Sequence, residues 1–181
     1  EQNNTTIQYK LILNTYLMEI VKAQIADVEV IEQVMACARH IMQADGNTNQ
    51  WTNGYPDCGT LLADIESGVA HICKDHGQVV AYFALLDGPD DSYAEIEGGH
   101  WVDDEQPYVV IHRLASAGKV RGVFAAVMNY ALCQCNNIRI DTHRDNHIMQ
   151  HCLQKNGFAY CGIIRLVRSG DERLAYQKVC S

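Results

Sequence analysis

Positive charge is scarce in this chain. Lysine and arginine number 14 against 22 aspartates and glutamates, a net charge of -8 over 181 residues. Binding to nucleic acid needs a basic face, so no nucleic-acid partner is expected, and the acidity suits a cationic acceptor without demanding one. Cys-x-x-Cys spacing is missing, although there are eight cysteines: Cys37, Cys58, Cys73, Cys133, Cys135, Cys152, Cys161 and Cys180. A structural zinc site therefore lacks its usual ligand spacing. Most of these residues sit in periodic apolar segments, where Cys behaves as a small buried hydrophobe. Reduced thiols and a cytoplasmic location are expected. No apolar stretch approaches membrane-spanning length, so no membrane partner is expected either. The run from Leu11 to Val21 is broken by Asn14 and Glu19 and has no small-residue cleavage pattern, which makes it a poor signal peptide. Two phosphate motifs are also wanting. The dinucleotide fingerprint needs three spaced glycines, and the P-loop needs Gly-Lys followed by Ser or Thr, whereas Gly118-Lys119 is followed by Val120.

What remains is an ordinary globular balance, 48% hydrophobic and 20% charged, long enough for one domain with a proper core. Residues 1–17 read as an N-terminal extension or arm, and residues 18–181 as a single domain. Glu19 to Gln24 reads as a first strand. Asp27 is expected to cap a helix whose Val28, Ile31, Val34, Met35, Ala38, Ile41 and Met42 share one face. A loop from Asn47 to Gly59 precedes a second helix from Thr60. Val69 to Lys74 and Gln78 to Leu86 flank the hairpin turn Asp75-His76-Gly77. Tyr93 to Glu97 is expected as a further strand. Later come a strand around Ile138 to His143, a helix capped by Asp145 or Asn146, and closing strands at Ala159–Val167 and Leu174–Val179.

The chain is organised around Tyr108 to Tyr130. Tyr108, Val109, Val110 and Ile111 begin a strand. The turn Ala115-Ser116-Ala117-Gly118 follows, then Lys119-Val120-Arg121-Gly122, then a helix carrying Val123, Val127, Ala131 and Leu132. A basic, glycine-bearing turn that opens a helix is a ready anion site, because the first backbone N–H groups are unpaired and the helix dipole favours negative charge there.

This order of elements resembles the GNAT superfamily of N-acyltransferases. The family's Q/R-x-x-G-x-G/A turn corresponds to Lys119-Val120-Arg121-Gly122-Val123-Phe124, and its later Asn–helix–Gly-Phe pattern to Asn146 and Gly157-Phe158. The resemblance implies an α/β fold with a mixed, mostly antiparallel central sheet flanked by helices, whose central strands splay apart. It implies acetyl-CoA as cofactor, its pyrophosphate on residues 120–124 beside Lys119 and Arg121. The pantetheine arm would pair with Arg113, Leu114 and Ala115, and Asn146 would add an amide. The sequence departs from the pattern at three positions. Lys119 replaces Gln or Arg, Phe124 replaces the second small residue, and Leu153 stands where the family's frequent general-acid Tyr would be.

His112, on the central strand, is the first candidate base, with a hydrogen-bonded strand histidine as the alternative. If Ile111 faces the core, His112 faces the cleft, and Arg113 beside it would favour the neutral imidazole. Glu97 is the second candidate, directly or through a water; a solvated strand end is its alternative. Cys152 and Tyr160 are considered as acids near the thiol, against helix and strand packing. His143, His147 and His151 are spaced by four, but the helix start at Asp145-Asn146 breaks their register, so no metal is expected. Trp51 and Tyr55 would wall the acceptor site or pack in the core. The expected activity is acetyl transfer from acetyl-CoA to a small-molecule or peptide amine by direct attack. A non-catalytic or degenerate CoA-binding module is the rival, and a homodimer stays open.

Overall fold

The structure is a computed structural model that describes residues 18–180; the expected arm at residues 1–17 lies outside the described residues. The elements run β1 Glu19–Lys22, α1 Val28–Ala44, α2 Cys58–Glu66, β2 Ala70–Asp75, β3 Gln78–Asp87, β4 Val109–Ser116, α3 Val123–Leu132, β5 Asn137–Thr142, α4 His147–Lys155, β6 Ala159–Arg165 and β7 Glu172–Val179. The strands form one sheet in the order β1-β2-β3-β4-β5-β7-β6, antiparallel except for the β4–β5 pair.

Side chains alternate across each strand, and that sorts the core into two faces. On one face Ala81, Phe83, Val109, Ile111, Ile138 and Ile140 pack under α3 and α4 through Val123, Val127, Met128 and Leu153. On the other, Ile72, Tyr82 and Ala115 pack under α1 and α2 through Ile31, Val34, Met35 and Leu61. A third cluster, Tyr93, Trp101, Val110, Ile164 and Ala175, fills the rest of the second face.

Local chemistry moves some expected boundaries. Asp27 is the N-cap residue of α1, as expected, but its side chain makes no cap bond to that helix; its carboxylate accepts from the Gln24 N–H at 2.8 Å, fixing a short 3-10 turn that leads into the helix. α2 starts at Cys58, two residues before Thr60, because Asp57 caps it by accepting from both the N–H and the hydroxyl of Thr60. No strand forms over Tyr93 to Glu97. Asp90 accepts from the Ser92 N–H and starts a 3-10 turn at Asp91–Tyr93. Tyr93 is buried against Trp101 with its hydroxyl on Asp141. Only a single bridge, Glu97 to Ile163, joins this segment to β6. The approach there is close: a Cβ on Gly99 would stand 2.0 Å from the Cys161 carbonyl oxygen.

All eight cysteines are free. No helix among the described residues is long and apolar enough to cross a membrane. His71 lies buried between Phe83 and Tyr130, and its Nδ1–H donates to the Val69 carbonyl. Burial, helped by the charge of Lys22, holds its pKa down at about 4 against an ordinary 6.5. As pH falls from 6.5 to 4 the unfolded chain takes up a proton at this residue and the native chain does not. Stability therefore falls with pH in that window, by about 3 kcal/mol in all. Urea midpoints measured at pH 7 and pH 4.5 should separate more for the wild type than for His71→Phe; equal separations would show that His71 is not buried neutral.

Candidate active site

β4 and β5 pair only at Val109 with Ile138 and Val110 with Arg139. Beyond Val110 the two strands part. On its other edge β4 carries a bulge: Tyr82 faces Ala115 and Ala84 faces His112, so Phe83 alone opposes Arg113 and Leu114. Arg113 takes a left-handed conformation, φ +54, the local strain expected of an inserted residue. The parting of the strands opens a cleft of about 680 Å³, a usual size for a small-molecule site. Val123, Phe124, Thr142, Met149 and Cys152 line it from the α3–α4 face, and Trp51, Tyr55, Asp90, His112, Asp141 and Arg168 from the other. The cleft thus pierces the sheet.

On the second face His112 sits between two carboxylates. Its Nε2–H donates to Asp90 Oδ2 at 2.7 Å; in the neutral ring Nδ1 then carries the lone pair. Nδ1 lies 3.8 Å from Asp141 Oδ2, too far for a hydrogen bond. The bond from His112 holds the Asp90 carboxyl below its ordinary range despite partial burial. Tyr93 donates its hydroxyl to Asp141 at 2.8 Å; burial first, then Asp141, pushes that phenol far up, so it stays a donor. Arg113, beside His112 in sequence, makes its hydrogen bonds elsewhere. Its guanidinium reaches α2, donating twice to Asp64 at 2.7 Å and once to the Tyr55 hydroxyl at 3.2 Å.

On the first face, α3 begins at Gly122 with φ +86 and no side-chain cap. Glycine takes that conformation freely, and it leaves the N–H groups of the helix's first turn without side-chain partners. Phe124 turns inward against Phe158, ring centroids 6.4 Å apart, so its bulk does not cover those N–H groups. Gly118, Val120, Gly122, Val123 and Phe124 line the cleft, whereas Lys119 and Arg121 are exposed beside it. Asn146 caps α4 by accepting from the Met149 N–H at 3.0 Å, and its Nδ2 donates to Gln50 at 2.8 Å. With Asn49 donating to Asp145 at 2.7 Å, two adjacent pairs tie the loop after α1 to the start of α4.

No family model matches the chain, and no curated protein matches it. Solved structures do. An acetyltransferase of the GNAT family from Streptococcus agalactiae is 32% identical, with a TM-score of 0.80 over 91% of this chain and 96% of that one. The chain belongs to the GNAT family of acetyltransferases. Two more distant structures share the fold. The yncA protein of Salmonella typhimurium, solved with its cofactor acetyl-CoA, is 15% identical with a TM-score of 0.58, covering 91% of this chain and 94% of that one. Arabidopsis thaliana Naa50, in complex with the bisubstrate analogue CoA-Ac-MVNAL, is 15% identical with a TM-score of 0.57, covering 90% and 99%. The seven-stranded, mostly antiparallel sheet with its parting central strands is the expected GNAT architecture.

Several site expectations change in this GNAT protein. Glu97 does not line the cleft; its exposed carboxylate pairs with Arg165 at 3.0 Å on the outer surface. The side chain of Arg113 is held by Asp64, so only its backbone is left for a cofactor. The side-chain amide of Asn146 is already committed to Gln50 and to α4. Tyr160 lies outside the cleft, edge-on to Tyr176, and Leu153 is fully buried. His143 precedes α4, its Nδ1 accepting from the Asp145 N–H. Among the described residues no cluster of three His, Cys, Asp or Glu is placed to hold a metal. Sequence reasoning missed Asp90, Tyr93 and Asp141. They reach His112 from a turn, a buried loop and a neighbouring strand, with no local spacing to mark them.

Proposed function

We propose that this protein transfers the acetyl group of acetyl-CoA to a primary amine by direct attack. The observation that carries the reading is the cleft through the sheet. One mouth opens on an uncapped helix start, the other on an imidazole with a free lone pair between carboxylates. The residues present fit coenzyme A. The N–H groups at Val123 to Ala125 suit a pyrophosphate. The β4 edge from Arg113 to Ala115, unpaired with β5, suits an amide chain laid alongside as a strand. Thr142 Oγ1 lines the same cleft, buried and without a hydrogen-bond partner among the described residues. Lys119 and Arg121 add positive charge beside the α3 turn.

The bound cofactor supplies an acyl carbon activated as a thioester. The chain's own groups do the rest. Asp90 holds the His112 ring through Nε2–H, and Nδ1 takes a proton from the incoming ammonium. Asp141 draws that ammonium to the same spot. Backbone N–H groups beside the bulge would be the donors for negative charge developing on the acyl oxygen. Cys152 lines the cofactor half of the cleft, and burial pushes its thiol up, so it stays protonated. Free cysteines throughout suit a reducing cytoplasm.

The cofactor end is tested by calorimetry with coenzyme A. In Gly122→Asp the new carboxylate would cap α3 itself and repel an anion there. Affinity is expected to fall by more than about tenfold, roughly the 1.4 kcal/mol of one lost charged contact. Gly122→Asn has the same shape and the same backbone strain without charge, and should lose less. Equal losses in the two variants would move the pyrophosphate off this turn.

A further inference from the structure

The acceptor half of the cleft carries two positive groups that the acetyl-transfer reading does not use. Arg173, on β7, lines it while only 4% exposed. Among the described residues its single hydrogen bond runs from Nη1 to the adjacent Glu172 carbonyl. Its Nε lies 3.8 Å from Asp141 Oδ1 and its Nη2 3.7 Å from Asp171, so both are beyond hydrogen-bond reach of a carboxylate. Two carboxylates thus balance the charge of this buried guanidinium while leaving donors in the cavity without a hydrogen bond, and such donors favour a further acceptor there. Arg168, in the turn between β6 and β7, also lines the cleft. Its guanidinium lies flat over the Tyr55 ring, 3.6 Å from the centroid, and no carboxylate pairs with it among the described residues.

Asp141 links the two ends of this half of the cleft. Asp141 presents Oδ2 to His112 Nδ1 and Oδ1 to Arg173 Nε. A single carboxylate therefore separates the ammonium position from the guanidinium. A ligand that carries an ammonium and an anion close together suits that arrangement, and a long diamine, which has no anion, does not. The remaining lining nearby, Trp51, Tyr55, Leu166 and Val167, is largely apolar.

We propose that the acceptor is an α-amino acid with an apolar side chain, its ammonium between His112 and Asp141 and its carboxylate on Arg173 and Arg168. This rests on the acetyl-transfer reading above. The test is thiol release from acetyl-CoA with leucine, methionine and phenylalanine, each beside its carboxamide and its decarboxylated amine, and with putrescine. At least one free amino acid is expected to exceed its carboxamide and its amine by about tenfold or more in kcat/KM, the range of a charged hydrogen-bonded pair. Arg168→Ala, an exposed position that should not disturb folding, and Arg173→Gln should bring that ratio toward one. Calorimetric titration of the preferred amino acid into the protein with coenzyme A should show binding that Arg168→Ala weakens. Carboxamides preferred over acids would indicate a peptide terminus. Putrescine or the decarboxylated amines preferred would indicate a simple amine. Either result overturns the proposal and leaves acetyl transfer standing. If coenzyme A binds and no amine releases thiol, the acetyl-transfer reading falls, and this one with it.

Discussion

His112→Ala is expected to slow acetyl transfer at neutral pH by about 10²–10⁴-fold, the usual contribution of a general base, with coenzyme A affinity nearly unchanged. An ammonium has no lone pair, so attack waits on removal of its proton. His112 is placed for that removal because it lines the cleft, and Asp90 holds its Nε2–H while Nδ1 makes no hydrogen bond to Asp141. The loss should shrink at high pH, where more of the free amine arrives already deprotonated. Asp90→Asn should give a smaller loss of kcat, since the ring keeps a polar partner but not a carboxylate. Steady-state kinetics from pH 6 to 10, with calorimetry for the cofactor, separate these effects. Wild-type turnover in His112→Ala at neutral pH would make the imidazole a packing residue and leave Asp141 as the group that receives the proton.

The second large effect is on stability. Asp64→Ala should destabilise the fold by about 3–5 kcal/mol, the cost of removing one partner of a buried ion pair. Asp64 accepts from Arg113 Nε, Arg113 Nη2 and the Tyr82 hydroxyl, all within 2.6–2.7 Å. Burial works against the Arg113 charge, and its partners Tyr55 and Asp64 outweigh it. Without Asp64 the guanidinium is stranded under α2 on the inner face of β4. Urea unfolding should show a lower midpoint with an unchanged slope. The double variant Asp64→Leu, Arg113→Met should recover much of the loss, because an apolar pair of similar size leaves no charge uncompensated. A loss below about 1 kcal/mol in Asp64→Ala would mean that water reaches the pair, as at an exposed bridge.

Where burial follows a local period, the sequence was readable. The spacing of Ile31, Val34, Met35 and Ala38 predicted α1, and those residues are buried. The alternation around Ile111 predicted that His112 faces the cleft, which it lines. Gly122 before an apolar helix predicted the opening of α3. The failures come where tertiary contacts override local pattern. Tyr93 to Glu97 has strand-like residues, but the bond between Asp90 and Ser92 and the burial of Tyr93 bend it into a turn. Arg113 defeated the alternation rule because a bulge sends two consecutive side chains the same way. Asp90 lies 22 residues from His112, and no local spacing links such a pair. Glu97 lies at the expected end of its segment, yet the bridge to Ile163 turns it toward Arg165 and bulk water.

The early end of β4–β5 pairing has a kinetic consequence. A site with one mouth forces its reactants to queue, and an enzyme of that shape gains from parking the acyl group on itself between visits. Here the cleft is lined by the start of α3 on one side and by the loops that carry Tyr55 and Arg168 on the other. On the acetyl-transfer reading the cofactor would enter from the first side and the amine from the second, so neither would block the other. Both can be resident together, with the sheet's own gap as their meeting point, so initial-rate plots at several fixed concentrations of the second substrate should intersect rather than run parallel.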